Sequence, residues 1–306
     1  MFTSTLLTMV TLISLSLNMS INMKKIISVV ISSLLLLSLF SCSEKERAEN
    51  YQLTVNTVIE DLEIDVKSCP TGQYKLYVGI FQNGTQLADP LQFDFHNGQA
   101  NAVISLVADQ TYDLVFWAQG ATAAYDIENL SAITIPTKIP TDNQSTLTLS
   151  ASKQNDAFCA VLKGVNFSGS ITKEVRLQRV GGVLNILHSG SRVLSEGEID
   201  STIVEYKSYT KFNPLAESVT DKFSDEQDLK QTIIFPSTSG DFVETQIINQ
   251  TTCTVLARSY FFTPEKKFRE VKITTIKNNN NTRKETTLTS VPFEQNKKTN
   301  LIGNFI

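Results

Sequence analysis

Residues 74–98 run Tyr74-Lys75-Leu76-Tyr77-Val78-Gly79-Ile80-Phe81-Gln82-Asn83-Gly84-Thr85-Gln86-Leu87-Ala88-Asp89-Pro90-Leu91-Gln92-Phe93-Asp94-Phe95-His96-Asn97-Gly98. Tyr74, Leu76, Val78 and Ile80 alternate with their neighbours, and the run stops at Asn83-Gly84. Leu91, Phe93 and Phe95 alternate again and stop at Asn97-Gly98. An apolar residue at every second position puts those side chains on one face of an extended strand. Asn-Gly supplies the left-handed residues that a tight hairpin turn needs. Ala102 to Val107 and Tyr112 to Ala118 follow as return strands, and Tyr51, Leu53 and Val55 alternate ahead of them.

The same grammar continues toward the C-terminus. Thr137 to Asn155 is rich in Thr, Ser, Asn and Gln and is expected to be a long loop or a weak edge strand, after one short helical turn at Asp126 to Ser131. Glu174 to Leu187 is a strand interrupted by Gly181-Gly182, where adjacent glycines signal a bulge or a close backbone approach. His188 to Gly197 is polar and contains glycine, and a domain boundary is placed there. Thr202 to Phe212, Gln231 to Phe235, Thr252 to Phe262, Glu270 to Lys277 and Lys284 to Phe293 are further strands, with Asn278 to Asn281 turning the last pair. Ser218 to Lys230 is expected to be a short helix or loop. No segment keeps a helical period. The expectation is an all-β chain of two sandwiches, residues 51–190 and 191–306.

Ahead of the strands, Lys24-Lys25 precede fifteen mostly apolar residues, Ile26 to Phe40, and then Ser41-Cys42. A charged start, an apolar run and a small residue make a secretory signal peptide. Leu39-Phe40-Ser41-Cys42 resembles a bacterial lipobox, with Phe40 departing from the usual small or branched residue. That resemblance implies cleavage before Cys42 and lipid on its thiol. A transmembrane anchor is the alternative, but spanning needs about 20 apolar residues. Residues 1–41 are therefore set apart, with Met23 as the expected true start. Ser43 to Asn50, carrying Glu44, Lys45, Glu46, Arg47 and Glu49, is expected to be a tether. An acidic stretch behind the lipid cysteine also resembles the surface-export signal of Bacteroidales lipoproteins. The expected location is the outer membrane, lipid-anchored and exposed at the cell surface.

Removing residues 1–41 leaves 265 residues with a formal charge of −6, which disfavours nucleic acid as a partner. The acidic excess lies in residues 42–190, while Arg258 to Lys298 holds 10 basic and 4 acidic residues. The two ends of neighbouring molecules could attract one another, or both could be ordinary solvated faces. With Cys42 lipidated, Cys69, Cys159 and Cys253 remain, an odd set with no zinc spacing. A Cys69–Cys159 disulfide stays open, and Cys159 within Phe158-Cys159-Ala160-Val161-Leu162 reads as a core residue.

Catalytic chemistry finds little support. The two histidines, His96 and His188, each end a strand and match no metal spacing. No nucleophile elbow, phosphate loop or dinucleotide glycine set is present. Asp61, Glu63 and Asp65 alternate on one face, which fits solvation better than calcium. No catalytic residue, metal ligand or cofactor is assigned. Trp117, within Val115-Phe116-Trp117-Ala118, is the candidate for stacking on a sugar, against the plainer reading of core packing.

Four segments in order carry a family likeness. They are Tyr112-Asp113-Leu114-Val115-Phe116-Trp117-Ala118-Gln119, then Val175 to Ile186, then Phe212-Asn213 behind a Tyr-rich strand, and Asn296-Lys297-Lys298-Thr299-Asn300-Leu301-Ile302-Gly303-Asn304. With the lipobox, this order resembles the fimbrillin-like lipoproteins of Bacteroidales type V pili, over about residues 50–306. The resemblance implies two transthyretin-like β-sandwiches and assembly by strand exchange. A protease cuts after an arginine, the first strand leaves, and a neighbour's terminal strand fills the groove. Arg47 is the candidate processing site, and Leu301, Ile302, Phe305 and Ile306 are the candidate exchanged side chains. The chain departs from the stalk pattern in two ways. No arginine lies between Arg47 and Arg176, and nothing follows Ile306.

The expectation is a non-enzymatic surface lipoprotein, a structural or adhesive pilus component. Its partners would be the membrane, through lipid, and other fimbrillin-like subunits. The alternative is a monomeric surface lipoprotein that binds a glycan or a host protein, and a periplasm-facing hydrolase is third.

Overall fold

The computed structural model describes residues 50–59, 74–96, 98–121, 123, 125–135, 137–138, 147–149, 156–166, 168–190, 194, 198–234, 245–278 and 282–306. The signal segment, Cys42, the tether with Arg47, Cys69 and the Asp61–Asp65 face lie outside the described residues. The described part is all-β, in sandwiches, with no helix among the described residues.

The first half opens with β1 (Asn50–Ile59), β2 (Tyr74–Gln82), β3 (Thr85–Gln86), β4 (Leu91–Asp94), β5 (Gln99–Val107) and β6 (Tyr112–Gly120). Asn83 and Gly84 both take positive φ, 51° and 77°, which makes the β2–β3 turn the tight type expected from Asn-Gly. With β10 (Ala157–Val165) and β11 (Ile171–Arg179), these strands follow the order β3-β2-β6-β10-β11-β1-β5, and β4 also pairs with β2. The order turns a corner between β10 and β11, which share the pairs Phe158↔Arg179 and Cys159↔Gln178. Around that corner β2, β6 and β10 face β1, β5 and β11. Leu53, Val55, Leu76, Val78, Ile104, Leu114, Phe116, Phe158 and Leu177 fill the space between. Strand alternation puts these residues on the inner faces.

β7 (Ile133–Thr134), β8 (Thr137–Lys138) and β9 (Leu147–Leu149) depart from the first half. β7 pairs with β13 (Ile199–Phe212), and β9 runs parallel to β14 (Phe223–Ile234). The expected short helical turn at Asp126 to Ser131 is a non-helical turn leading into β7. In the Thr/Ser-rich segment, β8 is an edge strand and β9 lies between it and β14. Ser218 to Lys230 divides, with turns to Lys222 and strand from Phe223.

The glycine pair is where the chain changes sheets. β11 ends at Arg179, and β12 (Gly182–His188) lies between β16 (Thr251–Phe261) and β19 (Lys298–Gly303). A Cβ on Gly181 would lie 2.1 Å from the Phe261 carbonyl oxygen, and one on Gly182 would lie 2.3 Å from the Phe261 ring. The close approach expected from Gly181-Gly182 is present, and the single strand expected over Glu174–Leu187 is two strands in two sheets. A boundary at 190 leaves β12 in the first half, yet its sheet partners, β16 and β19, lie within residues 245–306.

β15 (Thr245–Ile248) completes the four-stranded sheet β15-β16-β12-β19. β17 (Lys267–Lys277) and β18 (Arg283–Phe293) complete the facing sheet β18-β17-β13-β14-β9-β8. Leu184, Ile186, Tyr206, Leu256, Phe261, Val271, Ile273 and Phe293 share its core with residues of the first half: Phe81, Val115, Trp117, Tyr125 and Leu130. β6 is therefore buried on both faces, which explains its unbroken apolar run.

Candidate strand-exchange site

Two strands bear on exchange, the first and the last. β1 lies between β11 and β5. It runs parallel to β11 from Leu53↔Ile171 to Ile59↔Leu177. Leu53 and Val55 are wholly buried, and Thr57, also buried, donates its hydroxyl to the Ala100 carbonyl at 3.0 Å. Departure of β1 would part β11 from β5 and open an apolar slot. Arg47 precedes the strand, so a cut after it leaves β1 whole. The next arginine, Arg176, is already in β11.

β19 runs parallel to β12 from Val183↔Lys298 to His188↔Gly303 and forms the end of its sheet. The ladder continues past both ends, from Val183 N–H to Lys297 O at 2.8 Å and from Ser189 N–H to Gly303 O at 2.9 Å. A polar rung fixes the register. Arg258 Nε donates to Asn185 Oδ1 at 3.0 Å, and Asn185 Nδ2 donates to Asn300 Oδ1 at 2.9 Å. A slip of one residue would leave fully buried Asn185 without its Asn300 partner, so this rung selects one alignment.

The candidate exchange residues divide. Leu301 is half-buried against the core, Ile302 is 45% exposed on the opposite face, Phe305 is buried and Ile306 half-buried. Asn304 to Ile306 cross from the four-stranded sheet to the facing one. Phe305 N–H donates to His188 Nδ1 at 3.3 Å, and Phe305 O accepts from the Thr275 hydroxyl on β17. Lys284 Nζ on β18 donates to Asn304 O at 2.9 Å and Ile306 O at 3.2 Å. The last three residues thus tie the two layers of the second sandwich together. In this chain β19 lies in its own sheet.

His188 is almost fully buried, and its ring packs so near Gly190 that a Cβ there would lie 2.5 Å from Nε2. Burial holds its pKa below the usual imidazole value. Lys284 and Lys277 add to the depression and Glu198 opposes it. The strand-ending position of His188 was legible in the sequence. Its contact with Phe305, 117 residues away, carried no sequence signal. Asn185 left a trace, a lone amide inside the apolar run Val183-Leu184-Asn185-Ile186-Leu187.

The other candidates resolve differently. Trp117 is fully buried, its indole N–H donates to Gln119 Oε1 at 2.8 Å, and its ring meets Tyr125 edge-on at 5.3 Å. A sugar cannot stack on a face already packed, so the ligand reading of Trp117 gives way to core packing. His96 caps its hairpin through a bridge to Gln99. Cys159 is a free thiol pushed up to about 12 by burial, against the pull of Lys222. Beside the sheet crossing, Arg179 forms a buried two-pronged pair with Asp156 at 2.8 and 2.9 Å. Among the described residues, no three His, Cys, Asp or Glu side chains gather as a metal site. An open cleft of about 470 Å³ crosses the outer face of β13, β14 and β17, lined by Glu205, Lys207, Asp228, Lys272 and the 62%-exposed Phe268.

These features define a protein of stacked β-sandwiches whose first strand is enclosed by its own sheet and whose last strand ends another. The chain belongs to the family of unknown function DUF6562, whose model matches residues 43–306. No curated protein matches it. Among solved structures it is similar to a Bacteroides ovatus protein provisionally described as an adhesin. That match has 12% identity and TM-score 0.48 over 84% of this chain and 92% of that one. It is also similar to the fimbrial anchor protein from Porphyromonas gingivalis, at 13% identity and TM-score 0.37 over 78% and 83%. Likenesses this distant assign no function.

Proposed function

We propose that this protein is a lipid-anchored, cell-surface member of the fimbrillin-like group, a non-enzymatic structural or adhesive component that joins an assembly through its C-terminal strand. The observation that carries the reading is the asymmetry of the two terminal strands. β1 is enclosed between β11 and β5, and no arginine stands where a cut could free it. β19 is at a sheet end and carries Leu301 and Ile302, with Phe305 and Ile306 just beyond it. Such a subunit keeps its own slot filled and can lend a strand, which suits an end or anchor position better than a stalk.

The test uses intact cells and the lipid-bearing chain. Unheated denaturing gels should show ladders or a heat-sensitive complex, lost when residues 299–306 are deleted. Cys42→Ala should move the protein out of the membrane fraction. A dispersed monomer with no complex, in cells that display it at the surface, would reject the assembly role.

One observation favours the second reading, a glycan-binding surface lipoprotein. Phe268 offers an exposed ring beside carboxylates and ammonium groups in the open cleft, a better stacking platform than Trp117. Saturable oligosaccharide binding by the monomer, lost in Phe268→Ala with an unchanged melting temperature, would support it.

A further inference from the structure

We propose that His188, assisted by Lys284, is an acid-released latch that keeps the C-terminal segment in its own sandwich and frees it for a second copy of the chain when the imidazole takes a proton. That the freed segment is the one lent rests on the function proposed above. The latch itself rests on the contacts alone.

The Phe305 amide is buried and must find an acceptor, and the acceptor in place is His188 Nδ1 at 3.3 Å. In the neutral ring that geometry leaves the proton on Nε2, which faces Gly190. A proton arriving from solvent occupies the Nδ1 lone pair. No bond to carbon changes; the imidazole becomes an imidazolium, and two N–H donors then face each other. The new charge is buried near Lys284 on β18 and Lys277 on β17, with Glu198, just ahead of β13, as the opposing acid. Lys284 also holds the carbonyls of Asn304 and Ile306, so repulsion between the two cations strains the second clasp as the first opens. The other tie on Phe305, from the Thr275 hydroxyl to its carbonyl oxygen, is neutral, and the β12–β19 ladder with its Asn185–Asn300 rung is neutral as well. Without its amide bond Phe305 has less to keep it in the core, and β19 ends its sheet with one neighbour, β12.

The chain has two histidines, so its imidazole resonances can be assigned with His96→Gln and His188→Gln. Nuclear magnetic resonance of the full mature chain between pH 8 and 4.5 should show the His188 resonance and the Phe305 amide changing with one midpoint below about 6.5. The Phe305 amide should be protected above it and solvent-exchanging below it. His188→Gln keeps an acceptor that does not titrate and should hold the segment closed throughout. Lys284→Met should raise the midpoint. A Phe305 amide that stays protected while His188 titrates, or equal opening in His188→Gln, overturns the latch. Complex formation with a tagged second copy separates the two claims. Opening in acid without exchange supports the latch and counts against the strand-lending reading. Exchange independent of pH supports that reading and rejects the latch.

Discussion

At the scale of single residues, the Asp156–Arg179 pair and His188 are buried polar groups that stand where strands change sheet or layers meet. Asp156 and Arg179 are paired on either side of the corner that joins β10 to β11, and the guanidinium lies 5.3 Å from the centre of the Phe158 ring. Removing one partner strands the other charge. His188 adds a pH term. Its folded pKa is below its unfolded value, so the unfolded chain binds the proton more tightly. The stability it contributes is complete above about pH 6.5 and is lost as pH falls through the folded value. Denaturant midpoints measured from pH 8 to 5 should fall more steeply in the parent than in His188→Gln. Trp117→Ala should lower stability by about 3–5 kcal/mol, the cost of truncating a buried aromatic. Chemical denaturation checks this, and a loss under about 1 kcal/mol would place the indole outside the core.

At the scale of elements, the alternation that identified β1 and β2 reports a strand that turns every second side chain to a core. It fails where both faces are covered. β6 and β12 read as continuous apolar runs for that reason. The Gly181-Gly182 break was legible as a close approach, but the change of sheets was not, because it depends on Phe261 arriving from elsewhere in the chain. Gly181→Ala should be strongly destabilising, since the clash is with backbone oxygen and cannot be relieved by a rotamer. An alanine variant that melts with the parent would show that the crossing can move apart. Deleting residues 299–306 removes β19 and the Phe305 plug. The melting temperature should drop, with the burial of Phe305 alone contributing about 1.5–3 kcal/mol. An unchanged melt would show that the segment is a surface tail. The exchange candidates were legible as an apolar terminal run. Their clasp by His188, Thr275 and Lys284 was not, because it joins residues brought together only by the stacked sheets.

At the scale of the whole molecule, residues 51–306 form one compact unit, and the halves are stitched through both sheet and core. β7 and β9 from the first half pair with β13 and β14, and Trp117 reaches within 6.1 Å of Phe212. A fragment of residues 191–306 lacks β12, the strand between β16 and β19, and should not fold alone. Circular dichroism and a cooperative melt of that fragment test this, and a folded fragment would show that β16 and β19 can close without it. By itself the sequence determined the all-β class, the hairpins and the apolar terminal strand, because period-two alternation and Asn-Gly turns act between neighbouring residues. Only the tertiary structure decided that β1 is enclosed, that the glycine pair carries the chain from one sheet to another, and that a histidine grips the last residues. Those outcomes depend on contacts between segments up to more than a hundred residues apart, and such contacts leave no local pattern to read.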